Sequence, residues 1–200
     1  MSAERGYHHG GLRDALIKAS FELLAEVGLQ RFSLAAVARR LKVSSAAPYR
    51  HFRDRGHLLN AVSAVAARDL EAAIIAAADA AGTDPAARLA SAAGAYVRYV
   101  ARTGAGFSVI FALELYEIPD EARRERTRAL MTTLLDLATA TGCDSYQEAV
   151  LVVEATVAVA QGYTSLFADG FFARNHGTLD GIAARATEAA GHLIAPRIWK

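Results

Sequence analysis

Residues 33–52 constrain the fold of this chain more than any other stretch. Ser33 can cap a short helix, whose apolar face is marked by Leu34, Val37, Ala38 and Leu41. Residues 42–43 are too short for anything but a tight turn, and Ser44 or Ser45 can cap a second short helix. Two short helices joined by such a turn are typical of a helix-turn-helix, which places its second helix in the major groove of DNA. The alternative is a helical hairpin that only packs.

The second helix of this motif should bury part of its own side chains against the first. We expect Val43, Tyr49 and Phe52 to supply that contact. Pro48 lacks the N–H group that a helix beginning at Ser44 would use, so the first turn should be irregular or start later.

Short motifs on both sides of residues 33–52 follow in a specific order. They are Leu23-Leu24-Ala25-Glu26-Val27-Gly28, Phe32-Ser33-Leu34, Val37-Ala38, Val43-Ser44, Tyr49-Arg50-His51-Phe52 and Arg53-Asp54-Arg55 with Leu58-Leu59. From Leu12 to Val62 the chain thereby resembles the DNA-binding domain of the TetR family of transcriptional regulators, and residues 7–10 resemble one subgroup of it. Lys42 departs from the family because a glycine often makes this turn, which predicts a positive φ.

The resemblance implies which side chains of the motif contact DNA. Those that match positions facing the phosphate backbone are Lys42, Tyr49, His51, Arg53 and Arg55, with the hydroxyl groups of Ser33 and Ser44. Ser45, Ala46 and Ala47 replace a commoner Lys-Gly-Thr type of sequence and, with Pro48 beside them, are left for the bases, so direct readout should be modest. Arg50 is able either to read guanine or to bind a phosphate.

Charge is distributed unevenly along the 200 residues. Residues 1–57 hold 10 Lys and Arg against 5 Asp and Glu, whereas residues 58–200 hold 12 against 16. A basic front and an acidic rear fit a nucleic-acid-binding head on a body that does not bind nucleic acid. The single cysteine, Cys143, suits a reducing cytoplasm. No apolar run reaches the roughly 18 residues of a membrane span, so we expect a cytoplasmic protein without a membrane partner.

Helical periodicity continues to the end of the chain and predicts an all-α fold of about nine helices. The expected caps are Asp54, Asp84, Asp120, Asp144 or Ser145, and Thr178. We expect a DNA-binding domain over residues 10–70 and a ligand-binding and dimerisation domain over residues 71–200.

The sequence contains little that resembles a catalytic or cofactor-binding motif. Gly104-Ala-Gly106 lacks the third glycine of a dinucleotide loop and follows a helix instead of a strand. His176 and His192 are able to bind a metal, but surface histidines are the commoner case. We therefore predict no enzyme activity, no cofactor and no metal.

Residues 85–170 should enclose a pocket for an apolar or mixed small molecule. The aromatic candidates, many of which also fit an ordinary core, are Tyr96, Tyr99, Phe107, Phe111, Tyr116, Tyr163 and Phe167. Glu154 has apolar helical neighbours, and a buried carboxylate requires a partner. That partner is either an arginine of the chain or a ligand.

The stretch 149–160 is apolar nearly all round, and a flat alanine-rich helix follows it near the end of the chain. These two helices predict a two-fold dimer, as the family resemblance also implies, with Val153, Ala160, Ala183, Ala186 and Ala190 in the interface. The resulting hypothesis is a homodimeric repressor that a small molecule releases from a palindromic operator in double-stranded DNA. The alternatives are an activator of the same architecture and a ligand-binding helical protein with a vestigial head.

Overall fold

The computed structural model describes residues 9–173 and 177–194, which confirm the all-α prediction. Over these residues the chain forms eight α-helices and no β-strand: α1 (His9–Val27), α2 (Leu34–Arg40), α3 (Arg55–Ala80), α4 (Pro85–Thr103), α5 (Phe107–Ile110), α6 (Glu121–Ala140), α7 (Tyr146–Ala168) and α8 (Leu179–Ile194). Short 3-10 turns occupy Leu29–Arg31, Pro48–Arg50 and Leu113–Leu115. Tyr7, His8 and His176 lie outside the described residues.

Six of the predicted side-chain caps begin helices, whereas the cap predicted at Ser44 or Ser45 begins no α-helix. Each capping oxygen accepts a hydrogen bond of 2.8–3.2 Å from the backbone N–H three residues later, at Ser33, Asp54, Asp84, Asp120, Ser145 and Thr178. These bonds satisfy amides that no carbonyl of the helix can reach. Local sequence therefore sets the helix starts.

Residues 9–62, which we call the head, form a small helical unit around one apolar core. Leu16, Val37, Leu58 and Leu59 are fully buried there, and Phe52 is nearly so. The remaining helices and the later part of α3 form the body. Because α3 is a continuous helix of 26 residues, about 39 Å long at 1.5 Å per residue, it runs from the head into the body.

Helix α8 packs closely on α4 through small residues. A Cβ atom on Gly94 would lie 2.4 Å from Thr187 Oγ1 and 2.8 Å from the carbonyl oxygen of Ala183. The side chains predicted for the dimer interface are buried within the subunit, namely Val153, Ala160, Ala183, Ala186 and Ala190. That part of the prediction is corrected, because the alanine stripe fits α8 to α4 of the same chain.

Helix α7 instead leaves large apolar side chains in solvent. Leu151 is 63% exposed, and Tyr146, Leu166 and Phe171 are exposed along or just after the same helix. By length and composition alone α7 is able to cross a membrane, since its most apolar window of 18 residues has a mean hydropathy of 1.4. This finding corrects the expectation of no candidate span: the sequence has no uninterrupted apolar run of about 18 residues, but the average over the window is high although Glu148 and Glu154 lie in the helix.

Candidate nucleic-acid interface and ligand cavities

Residues 44–52, which we call the recognition segment, form successive turns in place of the predicted second α-helix. The amide of Ala47 donates to the carbonyl of Ser44 at 3.0 Å, and the amide of Phe52 donates to that of Pro48 at 2.9 Å. Pro48 has no N–H, so the hydrogen bonds of an α-helix cannot continue through it. The predicted irregularity is real, and only a 3-10 turn follows it. Lys42 has the predicted positive φ, 55°.

Most side chains predicted to contact DNA are exposed on this segment and beside it. The exposed residues are Lys42, Ser44, Ser45, Ala46, Tyr49, Arg50 and Arg53, while Ser33, Ala47 and His51 are half-buried. Tyr49 is 58% exposed, which corrects the expectation that its ring belongs to the core. Pro48 is buried instead, so it fills the core position and is not available to the bases.

Arg55 serves the head itself. Its Nε donates to the carbonyl of Phe32 at 2.9 Å, its Nη2 donates to the carbonyl of Leu29 at 2.9 Å, and its Nη1 pairs with Glu114 of the body. The guanidinium carbon also lies 5.7 Å from the centre of the Phe32 ring. With each guanidinium nitrogen engaged inside the chain, Arg55 is assigned to internal contacts, which corrects its predicted role at a phosphate.

We call three of the contacts between the head and the body the joint. The first is the Arg55–Glu114 ion pair. The second places Ile118 against Gly56, where a Cβ would lie 2.4 Å from Ile118 Cδ1. The third places Gly104 so near α1 that a Cβ would lie 2.4 Å from the backbone nitrogen of Ala25. Two of these contacts come from residues 111–118, which follow α5.

The start of α3 carries a second polar pair. His57 Nδ1 lies 2.9 Å from Asp54 Oδ1, and the His57 amide donates to the same oxygen. The hydrogen bond from the His57 side chain is the main reason why the pKa of Asp54 is lowered. An ionised cap at this helix start is also favoured by the helix dipole.

Two adjoining cavities open on the body beside residues 111–118. The apolar cleft has a volume of about 350 Å³ and is lined by Phe107, Phe111, Met131, Val153, Glu154 and Val157. The basic cavity has a volume of about 330 Å³ and is lined by Phe111, Tyr116, Arg123, Arg124, Thr127, Arg128 and Met131. Because Phe111 and Met131 line both, the two cavities are neighbours.

The predicted pocket residues divide between these cavities and the core. Phe107, Phe111 and Glu154 line the apolar cleft, and Tyr116 lines the basic cavity. The other aromatic candidates line neither of these two cavities, namely Tyr96, Tyr99, Tyr163 and Phe167. Glu154 is exposed, which corrects its expected burial, because one chain leaves that face of α7 uncovered.

Tyr96 connects three elements near the apolar cleft. Its hydroxyl group donates to Gln161 Oε1 on α7 and accepts a hydrogen bond of 3.1 Å from the amide of Phe107 at the start of α5. Burial raises the pKa of Tyr96 to about 12, so the hydroxyl group stays protonated in neutral solution and keeps its donor role.

Sequence reasoning missed the arginines of the basic cavity as site residues. Arg123 is 5% exposed, its Nη2 donates to the carbonyl of Leu115 at 3.0 Å, and its Nε has no hydrogen-bond partner among the described residues. The basic run 123–128 at the start of α6 was the available signal, but the sequence does not show that residues 111–116 lie over it.

The comparisons with known proteins agree with this geometry. Residues 16–62 match the model of a family described as bacterial regulatory proteins, tetR family. No curated protein sequence matches the chain.

Solved structures resemble the chain over nearly its whole length. A protein of unknown function from Rhodococcus sp. RHA1 has 28% identity and a TM-score of 0.71 over 96% of this chain and 100% of its own. The fatty acid degradation regulator FadR from Bacillus halodurans has 15% identity and a TM-score of 0.66 over 96% and 100%. A single-substitution variant of TetR from Acinetobacter baumannii AYE, solved in complex with minocycline, has 22% identity and a TM-score of 0.58 over 94% and 95%. The likeness to the latter two shows the fold alone.

A helix-turn-helix head with a basic exposed segment on an all-helical body is typical of DNA-binding regulatory proteins. Residues 16–62 match the tetR family of bacterial regulatory proteins, and the chain as a whole shares its fold with solved structures that include a TetR variant.

Proposed function

We propose that this protein is a homodimeric, ligand-controlled repressor that a small molecule releases from a palindromic DNA operator in the cytoplasm. The observation that carries the proposal is the position of residues 111–118. They line both cavities through Phe111 and Tyr116, and they hold the head through Glu114 and Ile118. A molecule that enters the cavities therefore touches the segment on which the head rests.

The recognition segment is the proposed DNA-binding surface. Lys42, Arg50 and Arg53 are exposed there, and exposed cations are suited to the phosphate backbone. The exposed hydroxyl group of Tyr49 adds a donor for a phosphate oxygen. Ser45 and Ala46 are short, so the bases are read mainly through close fit and methyl contacts.

The outer face of α7 is the proposed dimer interface. Leu151 and Leu166 are exposed on α7, Tyr146 is exposed at its first residue and Phe171 just after its end, and a group of large exposed apolar side chains is often covered by a partner. A two-fold dimer presents two heads to an inverted repeat, whose half-site centres should lie about 34–36 Å apart, or a multiple of that distance. Movement of residues 111–118 then alters the spacing of the heads without separating the two chains.

The proposal is tested with DNA from upstream of the protein's own gene. Fluorescence anisotropy should show tight binding to one fragment and weak, salt-sensitive binding to a shuffled fragment of the same length. Arg53→Gln should weaken specific binding, whereas Arg126→Gln on exposed α6 is the matched control and should not. Equal affinity for specific and shuffled DNA would contradict a regulatory role.

A further inference from the structure

The guanidinium group of Arg123 is a buried charged group of the body. It is 5% exposed, and Nη2 is satisfied by the carbonyl of Leu115 at 3.0 Å. Nε has no partner among the described residues. A buried donor of a charged group is costly to leave unpaired. Since Arg123 lines the basic cavity, the cavity is the place from which an acceptor would come.

Other donors surround the same cavity. Arg124 and Arg128, one helical turn apart on α6, line it, and Thr127 lies between them. The Thr127 hydroxyl already donates within its own helix, at 3.0 Å to the carbonyl of Arg123, so it offers its lone pairs only. The nearest carboxylate oxygen that the structure gives Arg124 is Glu121 Oε2, at 3.9 Å, which is too long to be a hydrogen bond.

The neighbouring cleft is of the opposite chemical kind. Its lining of Phe107, Val153 and Val157 is apolar and is joined to the basic cavity by Phe111 and Met131. Glu154 lines only the apolar cleft, so its negative charge disfavours an anion there and favours one in the basic cavity. The two cavities together are complementary to a molecule with one anionic end and one apolar end.

We propose that the effector is an amphipathic carboxylate, whose head group binds Arg123, Arg124 and Arg128 and whose apolar body lies between Phe111 and Met131 in the cleft. The planar guanidinium group suits a carboxylate, which is able to accept two parallel hydrogen bonds. The role of this molecule as an effector rests on the proposed function. The binding site itself is inferred from the geometry of the two cavities alone.

The bound carboxylate would lie next to the contacts of the joint. The Arg123 guanidinium that receives the carboxylate also holds the carbonyl of Leu115. Leu115 follows Glu114, which pairs with Arg55. Arg55 in turn holds the carbonyls of Leu29 and Phe32 next to α2. A shift of Arg123 toward a ligand is thereby coupled to the position of the helix-turn-helix.

Calorimetric titration of the full chain with decanoate and with 1-naphthoate tests the site, with decanol and 1-naphthalenemethanol as neutral counterparts. At least one carboxylate should bind, and its neutral counterpart should bind at least about 10-fold more weakly, because charge-assisted hydrogen bonds are lost. The double variant Arg124→Gln with Arg128→Gln should weaken the carboxylate roughly 10-fold and leave the neutral compound unchanged. Arg126→Gln, exposed on the same helix and outside the cavity, is the matched control.

Arg123→Gln is a second variant, and its affinity is interpreted only if its melting temperature equals that of the parent. If Arg123→Gln is destabilised, the double variant of the exposed Arg124 and Arg128 still decides the test. The proposal is overturned if neither carboxylate binds, if the neutral counterparts bind as tightly, or if Arg126→Gln matters as much as the double variant. Anisotropy on operator DNA separates the two proposals. Binding that depends on Arg124 and Arg128 but leaves the DNA affinity unchanged keeps the carboxylate site and refutes its role as an effector site.

Discussion

The head and the body differ in the large hydrophobic side chains that they expose. Of the nine large hydrophobic side chains that are exposed among the described residues, only Tyr49 belongs to the head, and it carries a hydroxyl group. The other eight belong to the body, where Leu151 and Leu166 lie on α7 and Phe171 lies just after it. The head instead exposes Lys42, Arg50 and Arg53 around its recognition segment.

This difference corresponds to the two partners that we propose, DNA for the head and a second copy of the chain for the body. A polyanion that keeps its hydration is bound by mobile cations and hydroxyl groups, with little apolar burial. A second copy of the chain is bound by apolar side chains that leave water together. Substitutions that reverse either surface, or that loosen the joint between them, test the assignment.

The largest effect is expected from placing a charge on the body's apolar surface. Leu151→Arg should split the proposed dimer, because an unpaired guanidinium would be buried at the interface. The mass in solution should fall to that of one chain, 21.2 kDa. Operator affinity should fall at least about 100-fold, since the two heads are no longer linked.

Light scattering measures the mass, and anisotropy measures the affinity. Ile75→Arg is the matched control, because Ile75 is an exposed apolar residue on α3 rather than α7, and it should change neither quantity. A parent protein that is monomeric at micromolar concentration and still binds operator tightly would refute the interface. Dependence of the parent on detergent or lipid would assign α7 to a membrane instead.

The next largest effect concerns the joint. Gly104 has φ 64° and already touches α1, where a Cβ would lie 2.4 Å from the Ala25 nitrogen. Gly104→Ala should lower the free energy of unfolding by about 2–4 kcal/mol, through the left-handed backbone and the clash together. Gly142→Ala is the matched control. It has φ 88° with open space around it, so it should lose only about 1 kcal/mol.

Urea denaturation of both variants measures the difference. Equal losses would mean that α1 and the end of α4 do not depend on each other, and the head would then be free of the body at this contact.

Local signals in the sequence predicted much of the fold. The caps at Asp54, Asp84 and Asp120 and the positive φ of Lys42 depend on residues within a few positions, so they are readable without knowledge of the tertiary structure. The helix-turn-helix region follows from the same kind of signal, and its family match confirms it.

The predictions that failed depend on which face of an element is covered. The alanines of α8 suit a close helix contact, but periodicity does not say whether that contact is α4 or a partner chain. Tyr49 and Pro48 are neighbours, and only the turn geometry decides that the proline is buried and the tyrosine exposed. Arg123 is a site residue because the chain turns back between Leu115 and the start of α6, so that the carbonyl of Leu115 meets its guanidinium group, and helical periodicity does not predict such a turn.

A smaller effect separates two arginines that sequence alone had grouped together. Arg55→Gln should reduce the free energy of unfolding by about 1.5–3 kcal/mol, because it removes charged hydrogen bonds to the carbonyls of Leu29 and Phe32. Arg53 is exposed, and Arg53→Gln should change stability by less than about 0.5 kcal/mol while it weakens operator binding. Thermal melts and anisotropy on the two variants should give opposite rankings. If the same variant lost more in both stability and operator affinity, Arg55 would have to be assigned to the DNA surface again.

The smallest effect falls on the single large hydrophobic side chain that the head exposes among the described residues. Tyr49→Phe removes one hydroxyl group from a ring that is 58% exposed, so the free energy of unfolding should stay within about 0.5 kcal/mol of the parent. If the hydroxyl group donates to a phosphate, operator affinity should fall by about 1 kcal/mol, or roughly 5-fold. The loss should be similar on specific and shuffled DNA, because phosphates carry no sequence information. Anisotropy at two salt concentrations checks both statements. If only the affinity for the specific fragment fell, Tyr49 would contact a base. If neither affinity changed, the hydroxyl group of Tyr49 would have no role in binding DNA.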